Sequence, residues 1–144
     1  MTRTLKLELA ALAAIAIGLG GCFFKPAGPR SVAGAELGNR PVDPNLAQRG
    51  GIVFRDKGCY GCHGFGRKLG APDLAGVMER RDHAWLRRWL KSTDSMLVSD
   101  PQAEAMLKDW HGVKMPNMKL SDQQIEALFH YMAQETARVR GGGT

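Results

Sequence analysis

Four stretches of the chain carry apolar side chains at three- and four-residue spacing, the pattern of helices that bury one face. The first runs through Leu46, Val53 and Phe54, with Asp43 or Asn45 placed to cap it and Gly58 placed to end it. The second follows Asp82 and carries Trp85, Leu86, Trp89 and Leu90; its tryptophans lie four apart and share a face. Asp100 and Pro101 open a third, which carries Ala105, Met106 and Trp110 and stops at Gly112. The last is the clearest: Ser121 and Gln124 form a capping box ahead of Ile125, Leu128, Phe129 and Met132, and Gly141 to Gly143 close it. Alternation of period two is absent over any useful length, so the expected fold class is all-α.

The first 44 residues read differently. Arg3 and Lys6 precede an apolar run from Leu9 to Leu19, which is shorter than the ~20 residues a membrane-spanning helix needs. Residues 1–21 therefore read as an export signal. Leu19-Gly20-Gly21-Cys22 resembles the processing site of bacterial lipoproteins, and that resemblance implies cleavage before Cys22 and acylation of its thiol and amine. Several acyl chains anchor a protein stably because membrane affinity grows with each buried methylene. From Cys22 to residue 44 the prolines and glycines are dense (Pro26, Pro29, Pro41 and Pro44 among them), which predicts a flexible linker without regular structure. The expected organisation is a signal at 1–21, an acylated linker at 22–44, a helical domain at 45–140 and a glycine-rich tail at 141–144.

Composition narrows the function classes. Of 144 residues, 20 are basic and 14 acidic, a net charge of +6. Removing residues 1–21 takes away Arg3, Lys6 and Glu8 and leaves 18 minus 13, or +5. The basic residues are scattered, with short pairs such as Arg80-Arg81 and Arg87-Arg88 rather than a concentrated stripe, so no nucleic-acid role is expected. A basic face for docking an acidic protein partner fits the excess better.

The three cysteines are Cys22, Cys59 and Cys62, an odd number that argues against a disulfide scaffold. Cys59-Tyr60-Gly61-Cys62-His63 has the spacing of a covalent haem-attachment site. Two thiols three residues apart reach two vinyl groups of one porphyrin, and the adjacent imidazole sits under the iron. Two other readings use the same residues. A thiol–disulfide redox pair needs a βαβ context, which this helical pattern lacks. A zinc site needs a fourth ligand, for which His83, His111 and His130 are the histidine candidates.

From Leu46 to Val139 the chain resembles class I c-type cytochromes. The resemblance rests on Gly50-Gly51-Ile52-Val53-Phe54 ahead of the cysteine motif, on Ala71-Pro72-Asp73-Leu74, on Met115-Pro116 with Leu120-Ser121 after it, and on Phe129-His130-Tyr131 near the end. It implies a small helical fold wrapped around one covalent haem c, with the first and last helices crossing at a small residue. Cys59 and Cys62 would be the thioether partners and His63 the proximal iron ligand. Pro72 would accept, through its carbonyl, the second ring N–H of His63, although Ala71 stands where the family usually has glycine. The resemblance gives Met115 the sixth coordination position. Met118 is its rival three residues on, while Met96, Met106 and His111 lie in less comparable contexts.

Trp85, Trp89, Arg80 and Arg81 are candidates for binding the haem propionates, with a place in the core as the alternative for both tryptophans. The function so implied is one-electron transfer between redox protein partners by a lipid-anchored carrier on the periplasmic side of a bacterial membrane. No small-molecule substrate or catalysis is expected, since histidine and methionine together leave the iron no open position. The alternatives are a haem enzyme or a gas or peroxide sensor with a labile sixth ligand, and a protein of non-haem metal or thiol chemistry.

Overall fold

The side chain of Asp43 accepts from the backbone N–H groups of Asn45 (2.8 Å) and Leu46 (3.2 Å), and with Pro44 at the first helical position it starts helix α1, Pro44–Asp56. A computed structural model describes residues 36–38 and 40–142; the signal at 1–21, Cys22 and the linker as far as residue 35 lie outside the described residues, as do 143 and 144. A single 3₁₀ turn, Cys59–Gly61, follows α1, and then come α2 (Val77–Arg80), α3 (His83–Lys91), α4 (Thr93–Ser99), α5 (Pro101–Asp109) and α6 (Asp122–Gly141). The expected caps are in place. Asp82 accepts from Trp85 N–H, Asp100 from the N–H groups of Gln102 and Ala103, and Ser121 and Gln124 bond reciprocally at the start of α6.

Helices α1 and α6 cross at Gly50, where any side chain would meet the backbone of α6. A Cβ there would lie 2.0 Å from the carbonyl oxygen of Ala127 and 2.7 Å from Cβ of Tyr131. Phe54 packs beside the crossing with its ring centroid 5.3 Å from that of Tyr131, and Phe65 closes the cluster at 5.7 Å from Phe54 and 5.6 Å from Tyr131. Phe129 does not join this cluster. It is buried on another face of α6, 5.8 Å from the His83 ring and beneath the guanidinium of Arg87.

Three parts of the described chain differ from expectation, the first being the single-turn helix α2, which no sequence feature announced. Helix α4 has no sequence signature: Ser92 links it to α3 without a side-chain cap, and its residues are mostly polar, with β-branched Thr93 and Val98. It is fixed by tertiary contacts instead, through fully buried Thr93 and buried Met96. The third difference concerns the linker expected at 22–44, whose last residues are folded. Glu36–Leu37 (β1) pairs antiparallel with Arg40–Pro41 (β2), with Gly38 at φ +67° in the turn. Leu37 is only 2% exposed and belongs to the core. One buried leucine, the backbone bond from Asp43 N–H to His130 Nδ1 (3.0 Å) and the Arg40–Glu126 ion pair dock this segment on α6 despite its prolines. The described fold thus begins by Glu36, not at Asn45.

Candidate cofactor site

Gly58, in the left-handed conformation at φ +71°, turns the chain sharply at the end of α1 and delivers the cysteine motif to one wall of a cavity of about 580 Å³. That volume is within the roughly 300–1,000 Å³ usual for small-molecule sites. Cys59, Cys62 and His63 line one side; Met115 and Met118, from the loop between α5 and α6, also face it. Phe54, Leu74, Leu86, Trp89, Leu128 and Met132 supply apolar lining.

His63 is oriented by its neighbours. Its backbone N–H donates to the Cys59 carbonyl (2.9 Å), and its Nδ1 lies 2.9 Å from the Pro72 carbonyl. A carbonyl only accepts, so Nδ1 carries a proton, and in the neutral imidazole Nε2 then keeps the lone pair that a metal ligand requires. The segment holding Pro72 is itself braced. Leu74 N–H donates to the Gly64 carbonyl (3.0 Å), the Asp73 carboxylate accepts from the N–H groups of Gly66 and Ala75, and Arg80 donates to the carbonyls of Asp73 and Ala75. Ala71 stands in ordinary negative-φ backbone, so the alanine in place of the family's glycine introduces no strain there.

No disulfide joins Cys59, which is half-buried, to Cys62, which is exposed. Burial pushes the Cys59 thiol above its ordinary value. A disulfide-exchange pair needs the opposite, a thiol acidified by its surroundings. The zinc reading lacks donors: among the described residues no three His, Cys, Asp or Glu side chains converge on a point that could hold a metal ion. His83 Nε2 is engaged with the Met78 carbonyl at 2.9 Å, His130 Nδ1 with Asp43 N–H, and His111 is exposed and off the cavity. The groups present suit a haem: two thiols and an imidazole with a free Nε2 on one side, thioether sulfurs also in the lining, and a largely apolar wall.

Of the four methionines weighed as ligands, Met106, Met115 and Met118 line the cavity, whereas Met96 is buried in the core away from it. The propionate candidates separate too. Trp85 spends its indole N–H on Asp100 (3.1 Å) and stacks on Trp89 with centroids 5.6 Å apart. Arg80 is committed to carbonyls of the Pro72 segment. The side chains of Trp89 and Arg81, both lining the cavity, donate no hydrogen bond among the described residues, and the Arg81 guanidinium sits 5.6 Å from the Trp85 ring centroid. Three residues shape the site in roles that the sequence did not assign to them. Lys57 donates from Nζ to the Met118 carbonyl (3.0 Å), Asp100 joins α3 to α5, and Asp73 staples the Pro72 segment. Asp100 was visible as a helix cap before a proline and Asp73 as a member of the Ala71-Pro72-Asp73-Leu74 segment; Lys57 carried no sequence signal.

The family model described as Cytochrome c matches residues 47–136. Among solved structures, the chain is similar to cytochrome c from Rhodothermus marinus (TM-score 0.62, 26% identity, covering 67% of this chain and 82% of that one). It is also similar to the cytochrome c domain of a Pseudomonas putida protein (TM-score 0.57, 41% identity, covering 63% and 91%). An engineered Rhodothermus marinus cytochrome c bound to a carbene intermediate matches with TM-score 0.59 and 25% identity over 70% of this chain and 85% of its own. No curated protein matches the chain.

Proposed function

The chain belongs to the cytochrome c family, whose cofactor is covalently bound haem c and whose general role is haem-based electron transfer, and from that premise we propose that it is a lipid-anchored single-electron carrier with His63 and Met115 as iron ligands. One observation carries the reading: Cys59, Cys62 and His63 share a cavity wall, and the Pro72 carbonyl commits His63 to the tautomer that keeps Nε2 free.

When bound, haem c supplies a one-electron couple. The protein's own groups do the rest. Cys59 and Cys62 fix the macrocycle's position, and His63 is held at the angle its bond to Pro72 sets. A thioether from Met115 favours the reduced state. The apolar wall of Phe54, Leu86, Leu128 and Met132 excludes water, which lessens the solvent rearrangement that accompanies a change of charge. The charged side chains of the cavity lining are four basic (Lys68, Arg80, Arg81, Lys114) and two acidic (Asp73, Asp109), which supports an acidic surface on the redox partner.

Anchoring at Cys22 rests on the Leu19-Gly20-Gly21-Cys22 site. No helix among the described residues is long and apolar enough to cross a membrane. Cys22 and Glu36 are 14 residues apart, which at full extension spans about 50 Å, enough for the domain to meet partners beside its anchor. The reading places the domain on the periplasmic side.

Met115→Ala tests the ligand assignment. It should abolish the near-infrared sulfur-to-iron band of the oxidised protein, lower the reduction potential and open the ferrous iron to carbon monoxide, while Met118→Ala leaves all three nearly unchanged. Loss of the band in Met118→Ala instead makes Met118 the ligand. Rapid carbon monoxide binding by the unaltered protein favours a catalytic or gas-sensing role.

A further inference from the structure

We propose that Lys57 is a positioning residue that holds the methionine loop closed against the cysteine-bearing turn, an inference that rests on Met115 being the sixth ligand. The loop from Lys114 to Leu120 has little holding it. None of its backbone N–H groups donates to a backbone carbonyl among the described residues; the last such bond before it is Val113 to Trp110 (2.9 Å), and the next after it is Ile125 to Ser121 (3.0 Å). Lys119 sits at φ +48°, in the left-handed region that a lysine occupies only when its surroundings impose it.

What imposes it is a short set of contacts. Leu120 is buried, Met115 and Met118 pack half-buried against the core, Asn117 Oδ1 accepts from Lys119 N–H (3.0 Å), and Asn117 Nδ2 reaches exposed Asp94 at 3.3 Å. The remaining contact is the bond from Lys57 Nζ to the Met118 carbonyl, 3.0 Å and partly buried, joining residues 61 apart in the chain. Of these, only the Lys57 bond ties the loop to the segment that carries Cys59.

Lys57 is well mounted for this. It is the C-terminal cap of α1, its own N–H donating to the Val53 carbonyl (2.9 Å) and that of Gly58 to the Arg55 carbonyl (2.9 Å), and it stands two residues before Cys59. It forms no ion pair among the described residues, so its ammonium is given to the loop, and a charged donor makes the stronger kind of hydrogen bond. The ammonium thus couples the wall that holds the haem thioethers to the loop that brings the thioether ligand. Breaking this bond while leaving the loop otherwise intact should raise the population of the open loop about tenfold, the lower end for a hydrogen bond to a charged group.

The test uses the full-length haem-loaded protein and three variants: Lys57→Met, Lys57→Gln (a donor too short to reach) and Lys57→Arg. Amide exchange of residues 113–120 and the carbon monoxide association rate of the ferrous protein should each rise about tenfold in Lys57→Met and Lys57→Gln. Lys57→Arg, which keeps donor and charge, should stay within about twofold of the parent in both. Parent-like exchange and association in Lys57→Met overturn the proposal, and so does an arginine variant as fast as the methionine one. Met115→Ala separates the two readings. If it abolishes the near-infrared band while Lys57→Met behaves as the parent, the ligand stands and the latch falls. If it leaves the band intact, the ligand assignment falls and amide exchange still reads the latch.

Discussion

Gly50→Ala probes the helix crossing that frames the site. The added Cβ would sit 2.0 Å from the Ala127 carbonyl oxygen, 2.6 Å from its carbonyl carbon and 2.7 Å from Tyr131 Cβ. Carbon contacts relax near 3.5–4.0 Å, so α1 and α6 must part by about 1 Å or more. No side-chain rotation relieves the clash, because two of the three obstructing atoms are backbone of α6. Overpacking costs typically about 1–3 kcal/mol, and a rigid obstruction puts this case at or beyond the top of that range. The gain in helix propensity from Gly to Ala offsets at most about 1 kcal/mol. A net loss of about 2–3 kcal/mol lowers the melting temperature by roughly 10–20 °C in a domain of this size. The neighbouring Gly51→Ala is the control. Its Cβ meets only Tyr131 ring carbons, at 3.2 and 3.3 Å, and the ring can shift, so the same propensity gain should leave stability within about 1 kcal/mol of the parent. Thermal unfolding of the haem-loaded variants, followed by far-ultraviolet circular dichroism, decides it. A Gly50→Ala melting point within about 4 °C of the parent, or equal losses at both positions, would refute the close-approach argument.

Two further outcomes are expected. His130 is buried with Nδ1 accepting from Asp43 N–H, so it is neutral in the fold; burial first, then the Arg40 charge, hold its pKa below the ordinary value against the opposing pull of Glu126 and Asp43. The unfolded chain therefore takes up this proton first. Stability should be flat above about pH 6.5 and fall as pH drops below it, and His130→Gln should flatten that slope in urea titrations at pH 5–8; an unchanged slope refutes the linkage. Cys22→Ser should release the cytochrome from membranes in fractionation with its absorption spectrum unchanged, and a variant that still sediments with membranes counts against acylation at this residue.

How much was legible follows from how far apart the interacting residues lie in the chain. Asp43, Asp82, Asp100 and Ser121 cap helices that begin one residue later, and each cap is readable from its own few residues. His63 and Pro72 are 9 apart and belong to one motif-bearing segment. The docking of Leu37 and Asp43 on α6 was missed because a proline- and glycine-rich composition describes local backbone preference, while the bond from Asp43 to His130 spans 87 residues. Helix α4 was missed for the same reason, its place set by burial of Thr93 and Met96 rather than by cap or stripe.

The same distinction divides the site. The histidine wall is local: Cys59, Cys62 and His63 follow one another on a short turn, and Asp73, Gly64 and Leu74 brace the segment opposite His63 from within about a dozen residues. Short loops of this kind close at small entropic cost, so this wall can form early and hold its shape whatever happens at the loop. The methionine loop has the opposite construction. Its polar contacts to the rest of the fold come from Lys57 and Asp94, 61 and 23 residues away, and among the described residues none of its own N–H groups donates to a backbone carbonyl. A segment so attached opens at lower free energy than the helices around it, because few bonds break when it leaves. Loss of Asn117 or Lys57 contacts should then free the loop while the histidine wall persists. Ligand exchange on the methionine side would thus occur without unfolding, and the strength of these few contacts would decide how far the protein behaves as a closed carrier.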